Sequence, residues 1–140
     1  MATLHVQIIT PERIVFEDDV DMITIPGSEG ELGILPHHIP LFTKIKPGEM
    51  KVKKGKDEYF LAVTGGFADI TGGKVIILAD HAVRAEDIEK QKVEEAKKRA
   101  EEAMHERKSE TDFAIAEADL RRALLELKVA NRRKTNRSNI

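Results

Sequence analysis

The sequence contains no cysteine, which excludes disulfide bonds, thiolate zinc sites and cysteine nucleophiles together. It also lacks long apolar runs: residues 75–79, VIILA, are far fewer than the roughly 18 residues that suggest a membrane span. The amino-terminal stretch MATLHVQIIT has neither the basic start nor the small-residue cleavage site of a secretory signal. We therefore expect a chain that does not cross a bilayer and works in the cytoplasm or on the cytoplasmic side of a membrane.

The charge balance gives little indication of a partner. The net charge is −2 and 34% of the residues are charged, so both signs are mixed over the surface. A chain of this kind has no broad electrostatic attraction for nucleic acid. We expect no nucleic-acid partner, and we expect the actual partners to be recognised by shape.

Glycine and proline are missing from the last 67 residues of the chain. All nine glycines lie at or before Gly73 and all five prolines at or before Pro47. Before that point, short segments of alternating or β-branched residues are separated by turn residues, which is typical of strands. Such segments occupy residues 4–9, 13–16, 20–25, 41–45, 50–53, 59–63, 67–71 and 75–78. With about eight to ten strands and no helix between them, residues 1–85 are predicted to form a β-sandwich or flattened barrel.

Residues 86–140 have the pattern of two amphipathic helices. The first carries Val93 and then alanines at positions 96, 100 and 103, all on one stripe. Ser109 with a carboxylate at Asp112 resembles a capping box that opens the second helix. Its stripe is Phe113, Ala116, Leu120, Ala123 and Leu127. The pattern predicts an antiparallel helical hairpin held by small side chains, which bury little area and so allow the hairpin to move.

The candidate catalytic and metal-binding residues are few. His37 and His38 are adjacent, so in an extended segment they point to opposite sides and do not chelate a metal as a pair. The three serines lie outside any nucleophile-elbow motif, and the glycine-rich segment 27–31 lacks the lysine of a phosphate loop. We predict neither an enzyme nor a metal site. The prolines that flank the histidines instead favour a stiff loop that is structural or presented to a partner.

Three motifs, taken together, resemble the epsilon subunit of F-type ATP synthase over nearly the whole chain. The first is GSEGELGILP at residues 27–36, followed by His38 and by Pro40-Leu41. The second is VTGGF at residues 63–67, and the third is LAD at residues 78–80, just before the helices. His37 is a departure, because the family commonly has glycine there, and glycine tolerates a positive φ more readily than histidine.

The resemblance implies an α+β fold, with a flattened barrel of about ten strands at residues 1–85 and a mobile, regulatory hairpin of two antiparallel helices at residues 86–140. It implies a non-catalytic rotor subunit in the central stalk of a proton-translocating ATP synthase, which couples c-ring rotation to ATP synthesis. The implied partners are the gamma subunit, the c-subunit ring and, when the hairpin extends and inhibits ATP hydrolysis, the alpha/beta catalytic head. Glu29, Gly30 and Glu31 would face the c-ring and His38 would face gamma. The implied location is peripheral, at the cytoplasmic face of a bacterial plasma membrane, with membrane contact only through the complex.

Some members of the family bind regulatory ATP on the folded hairpin. The matching residues here begin at Ile88, but Glu89 replaces aspartate, Lys92 replaces arginine and Val93 replaces alanine. Lysine keeps the charge but loses the planar fork of arginine. Arg99 and Arg122 remain as candidate phosphate partners, although arginines on helices are usually just solvated. We therefore expect no resident cofactor and only weak ATP binding.

Two other functions fit parts of the pattern. A stand-alone nucleotide sensor would use the hairpin to close over ATP, with the β domain as its support. A small metal-dependent enzyme of the cupin type would use the barrel, but it needs histidine ligands spread over several strands, whereas this chain has one pair and three single histidines.

Overall fold

The computed structural model describes residues 2–106 and 109–138, with side chains described up to residue 132. The chain divides into two compact units, Met1–Arg84 and Ala85–Ile140. The first unit is built of strands and the second of helices. The predicted α+β class, a barrel of about ten strands followed by two helices, is confirmed.

The first unit is a single ten-stranded sheet that curls into a flattened, nearly closed barrel. Along most of its length the strands follow the order β10-β7-β6-β3-β5-β8-β9-β1-β2, and β4 pairs with β3 beside this path. All the pairs are antiparallel except β1 with β9. The strands are β1 (Leu4–Ile9), β2 (Ile14–Val20), β3 (Met22–Gly27), β4 (Gly30–Ile34), β5 (Leu41–Ile45), β6 (Gly48–Lys54), β7 (Asp57–Val63), β8 (Gly66–Thr71), β9 (Lys74–Ala79) and β10 (Ala82–Arg84).

Large aliphatic side chains fill the barrel. β1 alternates strictly, so that Leu4, Val6 and Ile8 are fully buried while the residues between them are half-buried. This period of two is the expected pattern for a strand with one face on a core. Fully buried side chains from the other strands include Ile23, Ile25, Met50, Val52, Leu61 and Ile77. Each side chain of this size contributes roughly 1.5–3 kcal/mol when fully buried.

The VTGGF segment contains a glycine that no other residue can replace without strain. Gly66 has a φ of 143° and begins β8 directly opposite Ala79 of β9. A side chain on Gly66 would overlap the carbonyl oxygen of Leu78. The glycine therefore allows the backbones of β8 and β9 to approach closely.

The second unit begins with a short 3₁₀ helix (Ala85–Asp87), followed by α1 (Lys90–Glu106) and α2 (Glu110–Ser138). The acidic residues Glu86 and Asp87 lie in the 3₁₀ helix, before the first turn of α1. The Ser109 hydroxyl accepts a hydrogen bond from the Asp112 amide at 3.0 Å, which is the predicted cap of the second helix.

The helices pack against each other through small side chains. The buried residues of the predicted stripes are Val93, Ala100, Ala116 and Ala123, whereas Ala103 is exposed. At the open end of the hairpin, the Lys90 ammonium donates a hydrogen bond to the Asn131 side-chain oxygen at 2.7 Å. In the described part of the chain, no helix is long and apolar enough to span a membrane.

Candidate functional site

The two histidines follow β4 in a tight turn. The His38 amide donates to the Leu35 carbonyl at 3.2 Å, with Pro36 and His37 between them. His37 has a φ of 70°. Proline followed by a residue of positive φ is the arrangement of a type II turn, in which glycine usually occupies the position of His37. The backbone thus keeps a conformation suited to glycine even though histidine is present.

The turn exposes His37 and leaves His38 half-buried. Nδ1 of His38 lies 2.6 Å from the Ile39 carbonyl oxygen and donates to it, since a carbonyl can only accept. Nε2 of His38 is then the ring nitrogen left to meet a partner. Among the described residues, no group of three or more histidines and carboxylates is placed to hold a metal ion.

Glu29 lies in the two-residue turn that joins β3 to β4, and Gly30 and Glu31 are the first residues of β4. All three are exposed. The turn is fixed to the neighbouring β5 because the Ser28 amide donates to the Lys44 carbonyl at 3.0 Å. The glutamates are therefore presented by a well-anchored hairpin rather than by a loose loop.

The acidic turn and the histidine turn lie at opposite ends of β4. Gly30 at one end pairs with Gly27, and Ile34 at the other end pairs with Ile23. The first and last Cα atoms of a five-residue strand are about 13 Å apart. The structure therefore does not bring Glu29 and His38 into one site, which fits two separate contacts.

A row of exposed apolar side chains crosses the outside of the barrel. Phe67 on β8 is opposite Leu78 on β9, Leu78 is beside Ile9 on β1, and Ile9 is opposite Ile14 on β2. Phe42 on β5 stacks on Phe67, with 5.6 Å between ring centroids. The exposed fractions are 64% for Phe42, 45% for Phe67, 51% for Leu78 and 53% for Ile14, and Ile9 is half-buried. We call these five residues the apolar face.

An exposed group of this kind marks an interaction surface, because scattered apolar residues are ordinary but a contiguous row is not. The sequence reasoning missed it. The available signal was that Phe42, Phe67 and Leu78 occupy the outward positions of strands whose inward positions are mostly apolar as well.

An electrostatic cluster of the barrel lies at the amino-terminal end of β1, whereas Ile9 of the apolar face lies at the carboxyl-terminal end of that strand. Nδ1 of His5 is 2.8 Å from a carboxylate oxygen of Asp19, and Nε2 is 3.0 Å from one of Glu17. Carboxylates only accept, so the charged imidazolium satisfies both contacts. The hydrogen bonds to Asp19 and Glu17 raise the pKa of His5. Hydrogen bonds from Gln7 and His5 lower the pKa of Glu17.

The hairpin contains a groove of about 680 Å³ between α1 and α2. Of the residues that the resemblance assigns to ATP, Lys92, Arg99 and Arg122 line the groove, whereas Ile88 and Glu89 do not. Ile88 is buried, and a carboxylate oxygen of Glu89 lies 3.2 Å from Nζ of Lys92. The floor of the groove is formed by Val93 and alanines of both helices.

The charges in the groove do not favour a polyanion. Its three basic residues are outnumbered by four acidic ones, namely Glu106, Asp112, Asp119 and Glu126. Nε of Arg122 lies 3.7 Å from a carboxylate oxygen of Glu126, one helical turn further along. Two of the three cations in the groove thus already have a carboxylate neighbour. Glu126 escaped the sequence reasoning, although its spacing of four from Arg122 is the signal of a helical ion pair.

Two family models together match almost the whole chain. The model for the ATP synthase delta/epsilon chain beta-sandwich domain matches residues 3–85. The model for the ATP synthase delta/epsilon chain long alpha-helix domain matches residues 86–131.

Individual proteins and structures agree with these models. The ATP synthase epsilon chain of Dehalococcoides mccartyi is 48% identical over 135 residues, which covers 96% of each chain. The epsilon chain of Halalkalibacterium halodurans is 45% identical, over 94% of this chain and 100% of the other. A chain in the cryo-EM structure of the Euglena gracilis mitochondrial ATP synthase, comprising OSCP, F1 and the c-ring, superimposes with a TM-score of 0.72. It is 26% identical, and the match covers 86% of this chain and 76% of that one.

Proposed function

The chain belongs to the ATP synthase delta/epsilon chain family, and from this we infer that it is a non-catalytic subunit of the central stalk of an ATP synthase. Its role is to join the c-ring to the gamma subunit, so that ion-driven rotation of the ring is transmitted to the catalytic head. The membrane association of the chain follows from its place in this complex. Since these relatives, which are 45–48% identical, are bacterial, we assign the complex to the plasma membrane, with this subunit on the cytoplasmic face.

We propose that the apolar face docks on gamma. This face is the structural observation on which the proposed central-stalk role mainly depends. A row from Phe42 to Ile14 crosses five strands, so it offers a broad, rigid surface. A rotor subunit needs such a surface because it must transmit torque without slipping. His38 is assigned to the same contact, with Nε2 directed to a hydrogen-bond partner on gamma.

The contact with the c-ring is assigned to Glu29, Gly30 and Glu31. The anchored turn supplies two exposed carboxylates, and Gly30 has a φ of 132° that permits a tight reversal. Carboxylates at the edge of an interface govern orientation and association rate more than affinity. Charge reversal of Glu31 to lysine should therefore weaken assembly with the c-ring while the isolated subunit stays folded.

The hairpin is assigned an inhibitory role, in which it leaves its folded state and extends toward the alpha/beta catalytic head. Its support is the packing: the described buried residues of α1 are one valine and one alanine. Such packing holds a folded state only weakly, so a partner surface can compete with it. Ending the chain after Ala85 should raise the ATP hydrolysis rate of the purified complex, with a normal subunit ratio as the control. An unchanged hydrolysis rate would count against the inhibitory role.

Regulatory ATP, in this proposal, binds weakly at Lys92, Arg99 and Arg122, with Ile88 and Glu89 beside the groove. The groove has the volume of a small-molecule site. Its excess of carboxylates opposes the phosphates, so the folded hairpin gains little from ATP. Isothermal titration of the isolated subunit tests this proposal: micromolar affinity would refute it. Changing Glu89→Asp, Lys92→Arg and Val93→Ala together should tighten binding if those departures weaken the site.

The excess of carboxylates in the groove also argues against a stand-alone nucleotide sensor, because such a sensor would need to bind ATP there. A cupin-type enzyme is opposed by the histidine positions, since His37 and His38 share one turn while His5 lies on β1 with both ring nitrogens beside carboxylates.

The central-stalk role predicts that a tagged subunit co-purifies with gamma and the c-ring from detergent-solubilised membranes. Recovery of the subunit alone, under conditions that keep the complex intact, would contradict it.

A further inference from the structure

The barrel ends at a weak point. β10 and β2 are the two ends of the strand order, and β10 has only three residues. Its ladder to β7 consists of Ala82, Val83 and Arg84 opposite Val63, Ala62 and Leu61. The helical unit begins at the very next residue, Ala85. Any movement of the hairpin would therefore pull on a strand held by a three-residue ladder.

Arg84, the last residue of this strand, has an aromatic contact on each side of the gap in the barrel. Its guanidinium carbon lies 5.8 Å from the ring centroid of Phe16 on β2 and 5.9 Å from that of Tyr59 on β7. The two rings are themselves 5.8 Å apart and tilted by 53°. Phe16 is buried and Tyr59 half-buried, so the cation meets rings that are partly shielded from water. Cation–π contacts strengthen with such desolvation.

We propose that Arg84 anchors the last strand, β10, against both β7 and β2, so that movement of the hairpin does not separate β10 from the barrel. Arg84 lies at the boundary between the two units, where the proposed rigid docking domain ends and the proposed movable hairpin begins. Lysine would keep the charge at this position but lose the planar group that stacks on rings. The purpose assigned to Arg84 rests on the proposed mobility of the hairpin, whereas the exchange experiment that tests the anchoring does not depend on that mobility.

The test is amide hydrogen exchange by NMR on the isolated full-length chain with Arg84→Met, which keeps the aliphatic packing and removes the cation. Arg13→Met is the matched control, because Arg13 is an exposed arginine in the turn before β2. Relative to the control, the amides of β10 should exchange about fivefold faster, and those of β1 and β9 should be unchanged. Arg84→Lys should give an intermediate rate at β10.

Two results would overturn the proposal. One is an Arg84→Met chain in which β10 exchanges as in the control. The other is an equal acceleration of β10, β1 and β9, which would make Arg84 an ordinary contributor to global stability. If Arg84→Met does not fold, Arg84→Lys decides the question by the same comparison. Because exchange is measured without gamma or the catalytic head, these outcomes are distinct from a failure of the inhibitory role, which is read from hydrolysis.

Discussion

Truncation of the apolar face to alanine tests the docking of this subunit on gamma. Phe42 is 64% exposed and Phe67 45% exposed, so about 130 and 90 Å² remain to be buried if a Phe side chain presents about 200 Å². At roughly 25 cal/mol per Å², complete burial is worth about 3 and 2 kcal/mol. An alanine at either position would still bury its methyl group and so retain a small part of this binding free energy. We expect either single substitution to cost about 2 kcal/mol of binding, or roughly thirtyfold in Kd.

The assay is a direct binding titration against the cognate gamma subunit, by calorimetry or surface plasmon resonance. Leu124→Ala is the matched control, since Leu124 is 46% exposed but lies on α2 rather than on the barrel. The unfolding midpoint should fall less for Phe42→Ala than for Phe67→Ala, because more than half of the Phe67 side chain is already buried in the isolated chain. Phe42→Ala and Phe67→Ala should not be additive, because their rings stack on each other. Affinities within threefold of wild type for both variants would refute the assignment.

Three further predictions concern the turn, the groove and the electrostatic cluster. His37→Gly should raise the free energy of unfolding by up to about 1 kcal/mol in urea titrations, because relief of the positive φ is partly offset by the flexibility of glycine; a loss of stability would contradict the turn assignment. Glu126→Gln removes the carboxylate charge that lies 3.7 Å from Nε of Arg122 and so lowers the negative charge of the groove; ATP should bind several-fold tighter by calorimetry, and unchanged affinity would refute the charge argument. The raised pKa of His5 means that its contribution to stability is complete below pH 6.5 and is lost as the pH rises through the folded pKa. The stability difference between wild type and His5→Gln should therefore shrink above pH 6.5, and a difference independent of pH would count against the cluster.

Most of the fold followed from the spacing of apolar residues and turn residues. Eight of the ten strands correspond to predicted segments because each has a period-two or β-branched pattern that turn residues interrupt. β4 escaped because Gly30 and Gly33 gave it the composition of a loop, and its pairing with β3 depends on tertiary contacts. β10 escaped because three residues are too few to show any period.

The candidate sites were less predictable because they depend on what strands and helices bring together. Phe42 and Phe67 are 25 positions apart in sequence, and only the pairing of β5 with β8 makes them neighbours. The resemblance marked His37 as a departure from the family's glycine but left its backbone conformation open, and the structure shows that the positive φ is kept. The carboxylates of the groove were not anticipated, because only the packing of α1 on α2 places residues such as Asp119 and Glu126 around one groove.

The contrast between the two cores supports the proposal that one chain serves as both a rigid coupling and a movable arm. The barrel buries residues such as Leu4, Ile8 and Ile77 completely, and each contributes roughly 1.5–3 kcal/mol. The facing stripes of the hairpin bury mainly alanines, whose single methyl groups contribute only about 0.8 kcal/mol each. A hairpin held in this way can separate and reform at a cost that a protein partner can supply, whereas opening the barrel would cost several times more. The boundary at Arg84 is therefore an energetic boundary as well as a structural one.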